Sequence, residues 1–541
     1  MKKIIFLLLL GSFYLAVAQP TTVSNKVATI DSILASYCNA NEPGMAIGIV
    51  QNGKVIYKNA IGKADLSNSI SITDSTVFNI ASVSKHFTAL VALMAEEEGK
   101  ISLEDDITTY LPELENLPYR ITLKQLANHT HGLPNYSDLI EMMGFSLATP
   151  LINYVAVQML LSIKEVNFKP GTKFQYGNTG YILLAEILSR VYKKSFPNLI
   201  KEKVFDPLHM TQTRVISNPD AIVPNKALAY KKSGSYYTEY PNRQMECGSS
   251  NIHTSINDLL KWAVNFQNPT IGSQKQINRL KQKTKALSKN SDLAYGLGLY
   301  TETYKGLKTV FHGGGTAGYR AYILHVPDHN FSIITLGNQS DFGGLLIVQD
   351  LIELFFKDKL KASVPVKTAY TAKELKAFEG WYRFQPGQYW RFRADDKNLY
   401  FGGNVKPLPL IGDNTFKFSI PTSRLTFYDN KMEVRIADFV YHSEKMTFDP
   451  PVLTKKDLEK YVGFYHNKEM NTFYEILIIN DNLVTNHTTH GKIGLSPLSE
   501  NSFYSGYPLG EFTFQLNSEG RVTAFMLTGQ NFANLKFVKL N

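Results

Sequence analysis

Phe78-Asn79-Ile80-Ala81-Ser82-Val83-Ser84-Lys85 runs into His86-Phe87-Thr88-Ala89-Leu90-Val91-Ala92-Leu93-Met94 and stops at Gly99. Apolar residues at 87, 90, 91 and 94 recur with helical spacing, and Gly99 supplies a C-terminal stop. The spacing places Ser82 at the start of a helix and Lys85 on the same face one turn later. A serine hydroxyl needs a neighbouring base to become a nucleophile, and Lys85 is within reach. The helix N-terminus adds backbone N–H groups where an oxyanion would form. Alone, Ser-x-x-Lys arises by chance about once or twice in a chain this long. It then reads as a helix cap followed by a surface lysine.

The surrounding composition is that of a globular protein. The 541 residues are 44% hydrophobic and 19% charged, enough for two to four domains with ample core. The formal net charge is +10, yet no Lys/Arg run or aromatic-interleaved basic segment accompanies it. Nucleic-acid binding is therefore not expected, and contact with anionic wall or membrane surfaces is a looser expectation. Residues 1–18 read as a secretory signal: Lys2-Lys3, an apolar run from Ile4 to Val17, then Ala16-Val17-Ala18 before Gln19. Cleavage after Ala18 lowers the charge to +8 and leaves no stretch able to span a bilayer, so a periplasmic or secreted protein is expected. Cys38 and Cys247 are the only cysteines, no disulfide scaffold, and are expected to stay unpaired.

Along the chain, Met45 to Val50 and Lys54 to Lys58 read as strands joined by Gln51-Asn52-Gly53. Short helices are expected from Leu103 to Leu114, Thr122 to His129 and Leu151 to Leu161, and another after Thr254, which would cap it. Four strands follow between Tyr295 and Asn338, then an amphipathic helix from Leu345 to Lys359. An N-terminal hairpin and C-terminal strands enclosing helices imply one antiparallel sheet faced by helices, an α+β fold.

A linker is expected at 361–373, after which the sequence repeats. Phe378-x-Gly380-x-Tyr382 returns 83 residues later as Tyr461-x-Gly463-x-Tyr465, and Asn414-Thr415-Phe416 returns 87 later as Asn501-Ser502-Phe503. The drifting offset predicts two homologous β-units, 374–450 and 451–541, each able to close as an antiparallel barrel.

Ser82-x-x-Lys85, Tyr176-x-Asn178 and His312-Gly313-Gly314, in that order, resemble the motifs of the penicillin-recognising serine hydrolases. These comprise class C β-lactamases, DD-peptidases, D-aminopeptidases and related esterases. The flanks extend the resemblance across roughly residues 25–360: Phe78-x-Ile80-Ala81, Asn128-His129-Thr130-x-Gly132-Leu133, Phe174-x-Tyr176-x-Asn178-x-Gly180-Tyr181, and Gly315. The resemblance implies a metal-free, cofactor-free hydrolase of a small-molecule or peptide substrate. Ser82 would be acylated, Lys85 and Tyr176 would share the proton work, and Asn178 would hold the substrate amide. The strand of His312, Gly313, Gly314 and Gly315 would line the cleft, the oxyanion hole being the N–H groups of Ser82 and Gly315.

Two departures matter. His312 stands where such β-lactamases carry lysine, which weakens fixed-charge binding of a β-lactam carboxylate and points to peptidases or esterases. His131 replaces a serine common in its segment, and reads as a loop residue. The domain plan resembles D-stereospecific aminopeptidases, whose last barrel sends a loop into the active site. Residues 486–492 and 504–508 are the expected loops. All three motifs precede residue 360, so the β-units are expected to regulate access and supply no chemistry. D-amino-acid-containing peptides or amides lead as substrates, ahead of small carboxylic esters, with β-lactamase or DD-carboxypeptidase activity behind them. The non-enzymatic rival is a penicillin sensor or wall-binding protein, against which the intact Ser82, Lys85, Tyr176 and Asn178 argue.

Overall fold

The computed structural model describes residues 24–540 apart from 284–286, 288–291, 362–366, 368, 386, 419–422, 437–438 and 449. The expected signal, residues 1–18, and part of the expected linker lie outside these. Seven strands form the main sheet: β1 (Met45–Gln51), β2 (Lys54–Ile61), β3 (Ala294–Tyr295), β4 (Tyr300–Tyr304), β5 (Leu307–Thr316), β6 (Tyr319–Val326) and β7 (Phe331–Gly337). Their order is β3-β4-β5-β6-β7-β1-β2, antiparallel throughout, so the N-terminal hairpin joins the C-terminal strands through β1 and β7.

Side-chain alternation gives the sheet two apolar faces. Met45, Ile47 and Ile49 of β1 pack with Ile30 and Leu34 of α1 (Ser24–Tyr37) and with Ile347 and Leu351 of the C-terminal helix Gly344–Phe356. Ala46 and Val50 of the same strand turn to the opposite face. There they meet the helical lobe that holds α2 (Lys85–Glu97), α3 (Tyr136–Met142), α4 (Thr179–Tyr192) and α5 (Ile256–Gln267). No helix of the described residues is long and apolar enough to cross a membrane. Cys38 and Cys247 are both free.

Local capping moves some of the expected boundaries. Ser255 caps α5 by accepting from the Asp258 N–H at 3.3 Å. Thr254, the expected cap, instead ends the strand Ile252–Thr254, and its hydroxyl lies 2.6 Å from that of Thr213. The segment from Leu103 to Leu114 holds only two 3-10 turns, Ile107–Thr109 and Pro112–Leu114.

The repeat is visible in three dimensions. Tyr382 donates to the Phe378 carbonyl at 3.2 Å, and Tyr465 to the Tyr461 carbonyl at 2.7 Å. A capping box at Thr371 and Glu374 has its counterpart at Thr454 and Asp457. Only the second unit closes, its first strand Gly463–Asn467 pairing its last, Phe532–Lys539. The first unit is an eight-stranded sheet left open between Leu399–Phe401 and Leu410–Gly412. Both edge strands are three residues long, and Pro407 and Pro409 precede the second of them without an N–H to donate. The expectation of two closed barrels therefore holds for one unit, and the first is a half-barrel.

The two units attach differently. The first keeps an apolar core of its own, with Phe392, Leu425, Phe427 and Val434. It meets the catalytic domain through a nearly buried ion pair, Arg435 with Glu302, whose two contacts are 2.6 and 2.7 Å. The second shares one continuous cluster with the helical lobe, from Leu139 and Met142 through Met470 and Tyr474 to Phe537.

Candidate active site

Ser82 lies on a 3-10 turn, Ala81–Ser84, that runs straight into α2, so Lys85 rather than Ser82 opens the α-helix. Ala81 holds a left-handed φ of +46°, a conformation that disfavours a side chain bearing Cβ. The Asn79 side-chain oxygen braces it by accepting from the Ala81 N–H at 2.8 Å. Ser82 is half-buried while Ala81, Val83 and Ser84 are buried, so the turn presents one hydroxyl.

Lys85 is fully buried, and its three donors are all used. Nζ donates to Ser82 Oγ at 3.0 Å, Asn178 Oδ1 at 2.9 Å and the Ser249 carbonyl at 3.0 Å. It lies 5.0 Å from the centre of the Tyr176 ring and 5.7 Å from that of Tyr181. Among the described residues no carboxylate stands within ion-pair distance of it. Burial therefore dominates and pulls its pKa down to about 7, against a smaller opposing pull from Glu246. Glu246 is itself 8% exposed, and burial raises its carboxyl to about 7.

Asn178 stands at the N-terminal end of α4 with no capping bond of its own, and its side chain is engaged at both ends. Its Oδ1 takes the Lys85 proton donor, and Nδ2 donates to Ser137 Oγ at 2.9 Å. Its backbone N–H donates to Asn135 Oδ1 at 2.7 Å. Asn178 is thus held where it orients Lys85.

His312 lies on β5. It is 1% exposed, Nδ1 lies 2.6 Å from the Gly313 carbonyl and Nε2 3.2 Å from the Tyr295 hydroxyl. Burial first, and the Lys85 charge second, lower its pKa to about 3. A neutral ring satisfies both contacts, donating from Nδ1 and accepting at Nε2, and no ring nitrogen is left to face a substrate. His131 is a buried turn residue whose Nδ1 accepts from the Leu133 N–H at 2.9 Å.

Strand β5 presses against the nucleophile turn. A Cβ on Gly314 would lie 2.2 Å from the Ile80 carbonyl oxygen, so only glycine permits this approach. Gly313 is half-buried, and Gly315 is exposed at the open end of the strand, opposite Arg320. The Arg320 Nη1 donates to the Ala317 and Tyr319 carbonyls and braces the turn beyond Gly315. Ser82, Lys85, Tyr176, Asn178, His312 and the Gly313–315 strand are thus gathered in one place.

Sequence reasoning missed Asn135, Ser137, Glu246 and Ser249, and it chose the wrong loops of the second barrel. The 487–490 turn and Tyr507 pack on α3, His487 Nε2 lying 2.9 Å from the Glu141 carbonyl and Tyr507 donating to the Glu141 carboxylate. The hairpin tip between strands Val522–Gly529 and Phe532–Lys539 goes to the site instead. There the Asn531 carbonyl accepts from the Asn135 N–H at 2.8 Å and from Asn167 Nδ2 at 2.9 Å. Its side chain accepts from Gln175 Nε2 at 2.9 Å and donates to Asp138 Oδ2 at 2.9 Å.

Comparison with known proteins gives the family. A family model described as Beta-lactamase matches residues 28–350. The chain belongs to that family of serine hydrolases. A D-aminopeptidase of Brucella anthropi is 29% identical over 297 residues, which cover 55% of this chain and 56% of that protein. The chain thus matches little more than half the length of this relative. Among solved structures, the octameric penicillin-binding protein homologue from Pyrococcus abyssi has a TM-score of 0.57 at 22% identity, covering 78% of this chain and all of that one. The D-amino acid amidase from Ochrobactrum anthropi SV3 gives 0.52 at 20% identity, covering 61% and 99%. At these identities the two structures speak for the family fold alone.

Proposed function

We propose that the protein is an exported hydrolase that forms an acyl-enzyme at Ser82 with D-amino-acid-containing peptides or amides. The observation that carries the reading is Lys85, buried, 3.0 Å from Ser82 Oγ and with its pKa drawn to about 7. A lysine so placed is neutral often enough at physiological pH to act as the base. The amine takes the Ser82 proton as Oγ bonds to the substrate carbonyl carbon. The N–H groups of Ser82 and Gly315 then meet the negative oxygen. As the tetrahedral species collapses, the C–N bond breaks and the departing amine takes the proton from Lys85. A water molecule releases the acyl group by the reverse sequence. The D-amino acid preference rests on the similarity to the D-aminopeptidase and on a third motif whose His312 contributes no charge. Export rests on the sequence of residues 1–18 alone.

Fluorophosphonate labelling followed by a panel of D-aminoacyl amides, L-aminoacyl amides, small esters and a chromogenic β-lactam tests this reading. Labelling should vanish in Ser82→Ala, and turnover should be fastest with the D-aminoacyl amides. Faster turnover of the esters or the β-lactam would overturn the substrate assignment, and absence of labelling would overturn the nucleophile.

The pH profile gives a second test. An ionised Glu246 favours the Lys85 cation, so Glu246→Gln removes that pull and lowers the Lys85 pKa further. If neutral Lys85 is the base, acylation rises with pH through that value, and the rise should move to lower pH by about one unit in the variant. Single-turnover acylation of the wild type and the variant between pH 5 and 9 measures it. A fall in acylation through this pH range, displaced to lower pH in the variant, would mean that Lys85 acts as the cation.

A further inference from the structure

A cavity of about 610 Å³, not lined by Ser82, lies beside the site. It opens where three units meet: the catalytic loop 167–176, the first β-unit at 383–384 and 440–444, and the Gln530–Ala533 tip of the second barrel. Tyr176 is among its lining residues, and the centre of its ring lies 5.0 Å from the Lys85 Nζ. Aromatic rings of Phe168, Phe174, Phe384, Tyr441 and Phe532 supply the apolar wall. Two buried polar atoms of the lining residues, Asn167 Oδ1 and Ser443 Oγ, have no hydrogen-bond partner among the described residues. Lys173, Arg383 and Lys431 stand around the cavity with one carboxylate, Glu444, which lies 3.7 Å from Arg383 and 3.5 Å from Lys431. Lys173 has no ion pair among the described residues, and the charge balance of the four is positive.

We infer that this three-unit cavity is a substrate subsite for the distal part of a peptide chain, selecting peptides that end in a free carboxylate. The inference rests on the proposed hydrolase reading and deepens it. Its size falls within the range of ligand sites, and a junction between units is where such sites gather. Unpartnered polar atoms on an aromatic wall suit a peptide backbone, since a buried polar group left without a partner is costly. The excess of ammonium and guanidinium groups at the mouth suits an anionic end. A substrate of this length passes Tyr176 with its scissile carbonyl at Ser82, which ties the β-units to choice of substrate.

The test uses the full chain carrying Arg383→Glu and Lys431→Glu, two exposed positions outside the catalytic machinery. Substrates are a D-aminoacyl tripeptide with a free C-terminal carboxylate, the same tripeptide amidated, and a small activated ester. KM for the free acid should rise about tenfold or more with kcat unchanged, while the amidated peptide and the ester keep their wild-type constants. Calorimetric binding of both tripeptides to Ser82→Ala, with and without the two reversals, reads the subsite independently of turnover. There the free acid should bind about tenfold tighter than the amide, and the reversals should abolish the difference. Equal affinity for acid and amide in Ser82→Ala, or a loss shared by all three substrates, would overturn the subsite. Failure of the unaltered protein to turn over any substrate, with the binding difference intact, would instead overturn the hydrolase reading.

Discussion

Lys85→Ala and Tyr176→Phe are each expected to slow acylation of Ser82 by about 10²–10⁴, the usual effect of losing a general base. The double variant should be little slower than the slower single one. The reason is geometric. Lys85 makes three hydrogen bonds around one buried nitrogen, and the ring centre of Tyr176 lies 5.0 Å from it, so the phenol hydroxyl that Tyr176→Phe removes belongs to the same acid–base site. Groups that act as a unit on one proton lose their function together, so their costs do not multiply. Single-turnover rates with one activated ester, in variants shown by circular dichroism to be folded, decide the matter. Multiplicative losses would separate the two residues into independent roles. Full activity in Tyr176→Phe would reduce Tyr176 to a packing surface for the lysine.

What was legible in the sequence was what repeats locally or lies in motif order. Ser82 and Lys85 are three residues apart on one turn, and spacing alone brings them together. The sheet that joins the chain's two halves follows from a hairpin at one end and strands at the other. The half-barrel carried a readable signal in Pro407 and Pro409, which remove donors where the second unit forms a strand pair. The cap of α5 slipped by one residue because Thr254 and Ser255 are both competent caps, and only the strand pairing that occupies Thr254 chooses between them.

The roles of Asn178 and His312 were less accessible, because each depends on what saturates the side chain. Ser137 takes one end of Asn178 and Lys85 the other, and Tyr295 closes the outer nitrogen of His312. Such contacts bridge residues far apart in sequence, and no local pattern specifies them. The Asn531 contact with Asp138 spans 393 residues. The hairpin tip that bears Asn531 is a recognisable turn, but nothing in its composition says what it touches.

Removal of the second barrel is expected to abolish acylation rather than only alter substrate choice. This contrasts with the expectation from motif positions, which all precede residue 360. The barrel shares its apolar cluster with the helical lobe, so a chain ending at Leu360 exposes Leu139, Met142 and their neighbours to water. It also strips α3 of its clasp, in which Tyr474 donates to the Met142 carbonyl and Asn531 holds Asn135, Gln175 and Asp138. Asn135 and Ser137 are the two residues that fix Asn178, and Asn178 fixes Lys85. Burial already holds the Asp138 carboxyl above its usual range, so losing an amide donor there is costly. Asn531→Ala in the full chain isolates the polar link without truncation. It removes the Gln175 and Asp138 contacts, keeps the backbone ones, and should cost about 1–3 kcal/mol of stability. Acylation by a small ester should fall about tenfold, although the ester never reaches Asn531. Asn531→Asp keeps the acceptor for Gln175 but sets a second carboxyl against Asp138, so its loss should deepen as pH rises and both ionise. A wild-type acylation rate in folded Asn531→Ala would leave the barrel with no part in placing Lys85.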